Sequence, residues 1–281
     1  MRQELIFDRP GTLKDTKLIS MKIAFIIFLT GISFNCYSQK TDTLSIYSDT
    51  VSVKSKPAST FYRSAPYLVP TSLIAYGILS RESDLLQAVD GNVNADLRED
   101  YPHFRTRIDD KLQYMPAVSA YALGYIGVKG KNTFTDKTAL YFISNAIMGV
   151  SVYGLKIKTR KLRPDGSDNR AFPSGHTASA FVAAEFMRQE YKDVSPWYGI
   201  AAYTMATATG SLRMLNNKHW LSDVVMGAGV GILSTKLAYV VYPVIKRSLG
   251  KAPTSKVMFM PSYQPGTYGF SMAVRLNKKA E

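Results

Sequence analysis

Cysteine occurs once in the 281 residues, tryptophan twice and histidine three times. A lone Cys36 closes no intrachain disulfide and builds no Cys-based metal site. No His-x-x-x-His or Glu-x-x-His spacing is present, and no group of Asp and Glu surrounds His176 or His219, so no metal is expected. Acidic residues are few as well: 21 Asp+Glu face 35 Lys+Arg, a formal charge of +14. Such an excess favours anionic partners, among them phosphorylated substrates and acidic membrane surfaces. Signatures of zinc fingers, basic zippers and aromatic-basic RNA platforms are missing, so no nucleic-acid partner is expected. Uninterrupted apolar runs are mostly shorter than the roughly 20 residues a spanning helix needs.

One short apolar run lies near the N-terminus. Met21-Lys22 opens Ile23–Leu29, and small residues follow at Cys36 and Ser38, ahead of Gln39. A charged start, a brief apolar stretch and a small-residue cleavage site describe a secretory signal peptide. The expectation is an exported protein, in the periplasm or on the periplasmic face of a membrane, with 1–38 as the signal region and Met21 as translation start. Residues 39–60, rich in Ser, Thr, Asp and Lys, read as a flexible linker. Residues 61–250 read as a catalytic domain of six helices: Tyr67–Ser80, Met115–Val128, Lys137–Arg163, Ser174–Lys192, Pro196–Leu215 and Leu221–Leu249. Glycines recur in Gly227-Ala-Gly-Val-Gly231, where small residues let helix backbones approach closely. The fold class is therefore all-α, a six-helix bundle. A tail over 251–281 holds two strand-like runs, Lys256–Met260 and Tyr268–Leu276, about a Pro265-Gly266 turn. The polar segment Asp84–Gln113 reads either as a lid over the site or, more simply, as a solvated connection. The last helix has the longest apolar run and favours membrane association. Oligomeric state is not legible.

Three clusters carry chemistry. Lys156 and Arg163 stand seven residues apart, which on a continuous helix puts both on one face. A lysine point charge beside an arginine fork suits a phosphoryl group, although a basic run after an apolar helix also serves as a solvated end matched to the helix dipole. Next comes Pro173-Ser174-Gly175-His176, where Ser174 is a strong N-cap and the first amides of the following helix form an anion cradle. Gly175 keeps a side chain out of that cradle, and His176 is placed to protonate a leaving oxygen. The third is Arg213…His219…Asp223. Asn216-Asn217 suits a turn between helices, and Asp223, four residues after His219, can fix its tautomer as an orienter does in a catalytic triad. Lys156, Arg163 and Arg213 around two histidines repel a divalent cation and attract a dianion.

These motifs together resemble the type 2 phosphatidic acid phosphatase superfamily, which also contains the vanadium haloperoxidases. The family pattern Lys-x6-Arg-Pro, Pro-Ser-Gly-His, Ser-Arg-x5-His-x3-Asp matches Lys156 to Pro164, Pro173 to His176, and Arg213, His219 and Asp223. One departure is Leu212 at the family's serine position, with Ser211 one place earlier. The resemblance implies that His219 attacks phosphorus to form a phosphohistidine, Asp223 orients it, and His176 protonates the leaving alcohol. Lys156, Arg163, Ser174, Gly175 and Arg213 would bind the phosphate. The activity so implied is metal-independent hydrolysis of a phosphate monoester, or a lipid diphosphate, of a membrane lipid. No cofactor is expected, and vanadate would act as an inhibitor. Alternatives are a vanadium-dependent haloperoxidase, in which vanadate is the cofactor, a broad-specificity soluble periplasmic acid phosphatase acting on small phosphomonoesters, and a non-catalytic protein that binds anionic lipid.

Overall fold

The computed structural model describes residues 60–250, 257–264 and 267–274, and the expected signal region and linker lie outside them. Eight helices are described: α1 Thr60–Leu79, α2 Asp84–Asp100, α3 Ile108–Leu112, α4 Met115–Tyr125, α5 Phe134–Thr159, α6 Gly175–Tyr191, α7 Pro196–Leu215 and α8 Leu221–Gly250. The six-helix expectation is therefore corrected. The class is all-α, but Asp84–Gln113 is not a plain solvated connection; it contains two of the eight helices. The chain divides into two compact units, one ending at Ala238 and the other beginning at Tyr239. In the second, β1 (Val257–Gln264) and β2 (Thr267–Val274) pair antiparallel as the C-terminal hairpin, with Gln264 opposite Thr267.

Helix α6 is the centre of the first unit. Ser174 caps it in an extended conformation, and its Oγ accepts from the Thr177 amide at 3.4 Å and the Thr177 hydroxyl at 2.8 Å. Of its seventeen residues, twelve are buried, so this helix is enclosed on all sides rather than amphipathic. Ala178 and Val182 join Met148 and Val152 of α5, Phe172 of the preceding loop, and Met226 and Val230 of α8 in one apolar cluster. Helix α7 begins where the sequence expects it, because Ser195 accepts from the Trp197 amide and Pro196 occupies the first turn. Helix α5 stops at Thr159, since Arg160 turns left-handed at φ 43°. The helix expected to run on to Arg163 thus ends a turn early.

The glycines of α8 set how near its neighbours come. A Cβ on Gly227 would lie 2.6 Å from the Ser174 carbonyl oxygen, and one on Gly231 would strike the Ala178 carbonyl. Gly229 faces the other way, toward Pro70 and Ile74 of α1. Deeper in the bundle, the fully buried Glu185 accepts both an Nε and an NH2 bond from Arg188, each at 2.7 Å, and pairs with Lys236 at 3.1 Å. Tyr203 of α7 donates to the same carboxylate. A buried carboxylate held so fully ties three helices together without leaving a charge unpaired.

Two helices are long and apolar enough to cross a membrane, Phe134–Thr159 and the Leu221–Ser248 portion of α8. Only 22% of the first one's most apolar window is buried in the protein. Phe142, Val150, Tyr153 and Ile157 stay exposed, which leaves this helix an apolar outer side.

Gly227→Ala should destabilise the bundle by about 1–3 kcal/mol, the usual cost of overpacking. Thermal unfolding followed by circular dichroism checks it. An unchanged midpoint would show that α6 and α8 can part without cost.

Candidate active site

Four local structures bring the three motifs together. Lys156 leaves the last turn of α5, and its ammonium donates to the Arg170 carbonyl. Arg163 is not on a helix, contrary to the one-face reading, but the loop beyond Thr159 folds back and carries it home. The Ala171 amide donates to the Lys161 carbonyl at 2.9 Å, and the Arg163 amide to the Asp168 carbonyl at 3.0 Å. Asp168 also takes the Arg163 Nε at 2.8 Å, leaving the terminal nitrogens of the fork as donors for another oxygen. Lys156 lies within electrostatic range of Arg163, Asp168, Arg213 and Asp223.

The α7–α8 turn closes as a Schellman motif. Asn217 is left-handed (φ 59°), its amide donates to the Met214 carbonyl at 2.8 Å, and the Lys218 amide donates to the Arg213 carbonyl at 3.0 Å. The expected asparagine turn is therefore present, and it returns His219 toward Arg213. Asp223, in the first turn of α8, accepts from the Trp220 amide at 2.9 Å, and its backbone carbonyl accepts from the Ser174 amide at the same distance. The N-termini of α6 and α8 thus meet, bringing Ser174, Gly175 and His176 beside His219 and Asp223.

His219 and Asp223 are both buried, and His219 Nδ1 lies 3.6 Å from Asp223 Oδ2. That is a loose contact, longer than a hydrogen bond, of the kind that tightens when substrate fills a site. Burial pushes the His219 imidazole down to about 4; Arg213 and Lys156 press the same way, and Asp223 opposes them. The ring is thus neutral over most of the pH range, as a nucleophile must be. Burial also lowers His176, with Arg213 assisting, while its partner Asp110 works in the opposite direction. Gly175 has space around it, for a Cβ there would meet only Val152 Cγ1, at 4.0 Å. Packing does not demand glycine at this position, whereas an anion approaching the helix amides does.

The acidic partners of the site lie in Asp84–Gln113, the segment the sequence offers as a lid, and the expectation that no acidic group surrounds His176 is corrected, because residues distant in the chain supply it. Asp109 of α3 is fully buried and pairs with Arg213 NH1 at 2.7 Å, and Asn216 donates to it at 3.2 Å. Asp110 lies 2.9 Å from His176 Nε2. Asp90 of α2 accepts from the Ser222 amide at 2.8 Å. Nothing local marks these residues, because each finds its partner across more than sixty positions. His103 is exposed and has no part in the cluster. Asp109, Asp110 and His176 place one donor atom each within 4.8 Å of one another, the grouping among the described residues that could hold a cation. Arg213 already engages Asp109, and its fixed positive charge opposes a second cation there.

Cationic side chains acting on a buried His–Asp pair, at the meeting of two helix N-termini, make a site that attracts an anion. Residues 137–247 match the PAP2 superfamily, the family that the three motifs resemble. The lipid A 1-phosphatase of Porphyromonas gingivalis is 34% identical over 223 residues, 79% of this chain and 46% of that protein. The chain thus spans about half the length of this curated relative. Among solved structures it is similar to Aquifex aeolicus LpxE, with 20% identity, a TM-score of 0.40, and coverage of 51% of this chain and 92% of that one. It is also similar to the first transmembrane PAP2 type phosphatidylglycerolphosphate phosphatase from Bacillus subtilis: 19% identity, TM-score 0.43, 64% and 98% covered.

Two outcomes are expected. Gly175→Ala should shift unfolding free energy by less than about 1 kcal/mol yet lower turnover by roughly 10²-fold through a misplaced phosphate, a contrast that paired melting and rate measurements reveal. With His219 as nucleophile and His176 as general acid, kcat/KM would require His219 neutral and His176 protonated. It should rise through an acid limb near pH 4 and fall through an alkaline limb below the ordinary histidine value of 6.5. Asp110→Asn removes the group that holds a proton on His176, so the alkaline limb should move to lower pH. An unmoved limb would remove His176 from the general-acid role.

Proposed function

We propose that the chain is a metal-independent phosphatase that hydrolyses a phosphate monoester of a lipid at a membrane surface, through a phosphohistidine on His219. The buried His219–Asp223 pair in the field of Lys156 and Arg213, with Arg163 beside Lys156, is the observation that carries this reading. His219 Nε2 attacks phosphorus as the bond to the leaving alcohol breaks, and His176 gives its proton to that oxygen. Water then attacks the phosphohistidine, yielding its proton to His176 and releasing orthophosphate. Lys156, Arg163, Arg213, Ser174 and the Gly175 amide stabilise the charge on the equatorial oxygens; losing one such contact costs about 3–4 kcal/mol.

A lipid substrate is supported by where the site lies. Helix α5 delivers Lys156 from its last turn, and α8 delivers Asp223 from its first. These are the two helices of membrane-crossing length, so the cradle sits at the end of each, where lipid headgroups would meet it. The 34%-identical relative is named for removing a phosphate from lipid A, and a phosphorylated glycolipid on the periplasmic face is the substrate class we favour.

The test is phosphate release by the purified full chain in detergent, with EDTA present, on a water-soluble monoester and on a detergent-dispersed lipid phosphate. Turnover should persist in EDTA, favour the lipid, yield to vanadate and fall at least about 10³-fold in His219→Ala. A His219→Ala variant keeping more than a tenth of the activity would overturn the nucleophile. Absence of release from both substrates would overturn the phosphatase, and halide peroxidation after vanadate loading would be measured next.

A further inference from the structure

Lys161 belongs to none of the phosphate-binding positions, yet it occupies the rear of the catalytic pair. Its ammonium lies 3.1 Å from Asp223 Oδ1, 3.0 Å from Asp90 Oδ2 and 2.9 Å from Ser222 Oγ. An ammonium has three N–H donors, and three oxygens surround this one. The Phe172 and Trp220 rings lie 5.9 and 5.7 Å from the same nitrogen and flank it with aromatic faces. Asp90, 4% exposed, completes the arrangement, taking the Ser222 amide on Oδ1 and both the Ser222 hydroxyl and Lys161 on Oδ2.

The consequence for Asp223 is geometric. Its Oδ2 is held by the Trp220 amide and faces His219 Nδ1, while its Oδ1 accepts no conventional hydrogen bond and is turned toward Lys161. Among the described residues Lys161 is the cation paired with that oxygen, and it fixes the rotation of the carboxylate and hence the line from Oδ2 to the imidazole. We propose that Lys161, anchored by Asp90, is a positioning residue that sets Asp223 for the His219 nucleophile; this rests on the phosphatase reading above. Its ammonium contacts Asp223, Asp90, Ser222 and the Phe172 and Trp220 rings, and of these Asp223 is the one paired with His219.

Charge gives the proposal a signature that a merely structural ion pair lacks. The charged groups acting on His219 are Asp223, Arg213 and Lys156, with Lys161 behind the carboxylate. Lys161→Met removes one positive charge from beside Asp223, so the His219–Asp223 pair takes up its proton at higher pH. Lys161→Arg keeps the charge but changes the shape.

The experiment is kcat and kcat/KM against pH on the lipid phosphate for the wild-type full chain, Lys161→Met, Lys161→Arg and Asp90→Asn. Lys161→Met should lose roughly 10²-fold in kcat, the cost of a catalytic group misplaced by about an ångström, with KM little changed and the acid limb displaced upward. Lys161→Arg should leave the acid limb in place. Asp90→Asn, which retains the lysine but weakens its anchor, should lower kcat without raising the limb, and serves if Lys161→Met fails to fold. Wild-type kcat in both Lys161→Met and Asp90→Asn would overturn the proposal. So would a loss of rate equal in Lys161→Met and Lys161→Arg with the limb unmoved, for that is what general loosening produces. Inactivity of the wild-type chain would instead overturn the phosphatase reading itself.

Discussion

The 2.9 Å bond from the Ser174 amide to the Asp223 carbonyl is the constraint from which the site follows. It requires the first turns of α6 and α8 to touch, and only a residue without a side chain at position 227 permits that. Once they touch, two sets of outward-pointing amides share one space, and Ser174, Thr177, Ser222 and Asp223 of the two helix starts are buried. Asp223 becomes fully buried, and a buried carboxylate must be compensated or protonated. Lys161 and the Trp220 amide supply that compensation from opposite sides.

The same logic extends outward. Clustered cations would repel one another if left alone, and carboxylates from α3 and from the loop after α5 are placed among them. Asp109 neutralises Arg213, Asp110 meets His176, and Asp168 steadies Arg163. Exposure grades with position: Asp109 is sealed, and the Asp110 side chain is half-exposed. The sealed pair fixes geometry, and the open one can exchange partners as substrate arrives. Two N-termini at one place add fixed partial positive charge that side-chain titration cannot remove.

Much of this was legible in the sequence, for reasons that also show where legibility ends. Pro196–Leu215 was readable to the residue because a serine cap and a first-turn proline mark its start, and asparagines mark its end. The clusters at Lys156–Arg163, Ser174–His176 and Arg213–Asp223 were readable because each is local, a matter of spacing along a few turns. Arg160 was not, since nothing in a run of lysine and arginine announces a left-handed residue, and so the route of Arg163 to the site was misjudged. Asp84–Gln113 failed differently. Its helices present polar residues to both solvent and the site, so hydropathy sees no buried side. Asp90, Asp109 and Asp110 acquire meaning only from residues far along the chain.

That separation has an evolutionary corollary. The span matched by the family, 137–247, contains His219, Asp223 and the cations Lys156, Arg163 and Arg213 but none of the three carboxylates Asp90, Asp109 and Asp110 carried by α2 and α3. Asp90 and its partner Ser222 stand 132 residues apart. A recombination breakpoint placed between those helices and α5 would hand the daughter protein an intact signature motif with unbalanced charge behind it. The unit that keeps its charge in balance is therefore longer than the motif, and it takes in the acidic helices as well as the basic core.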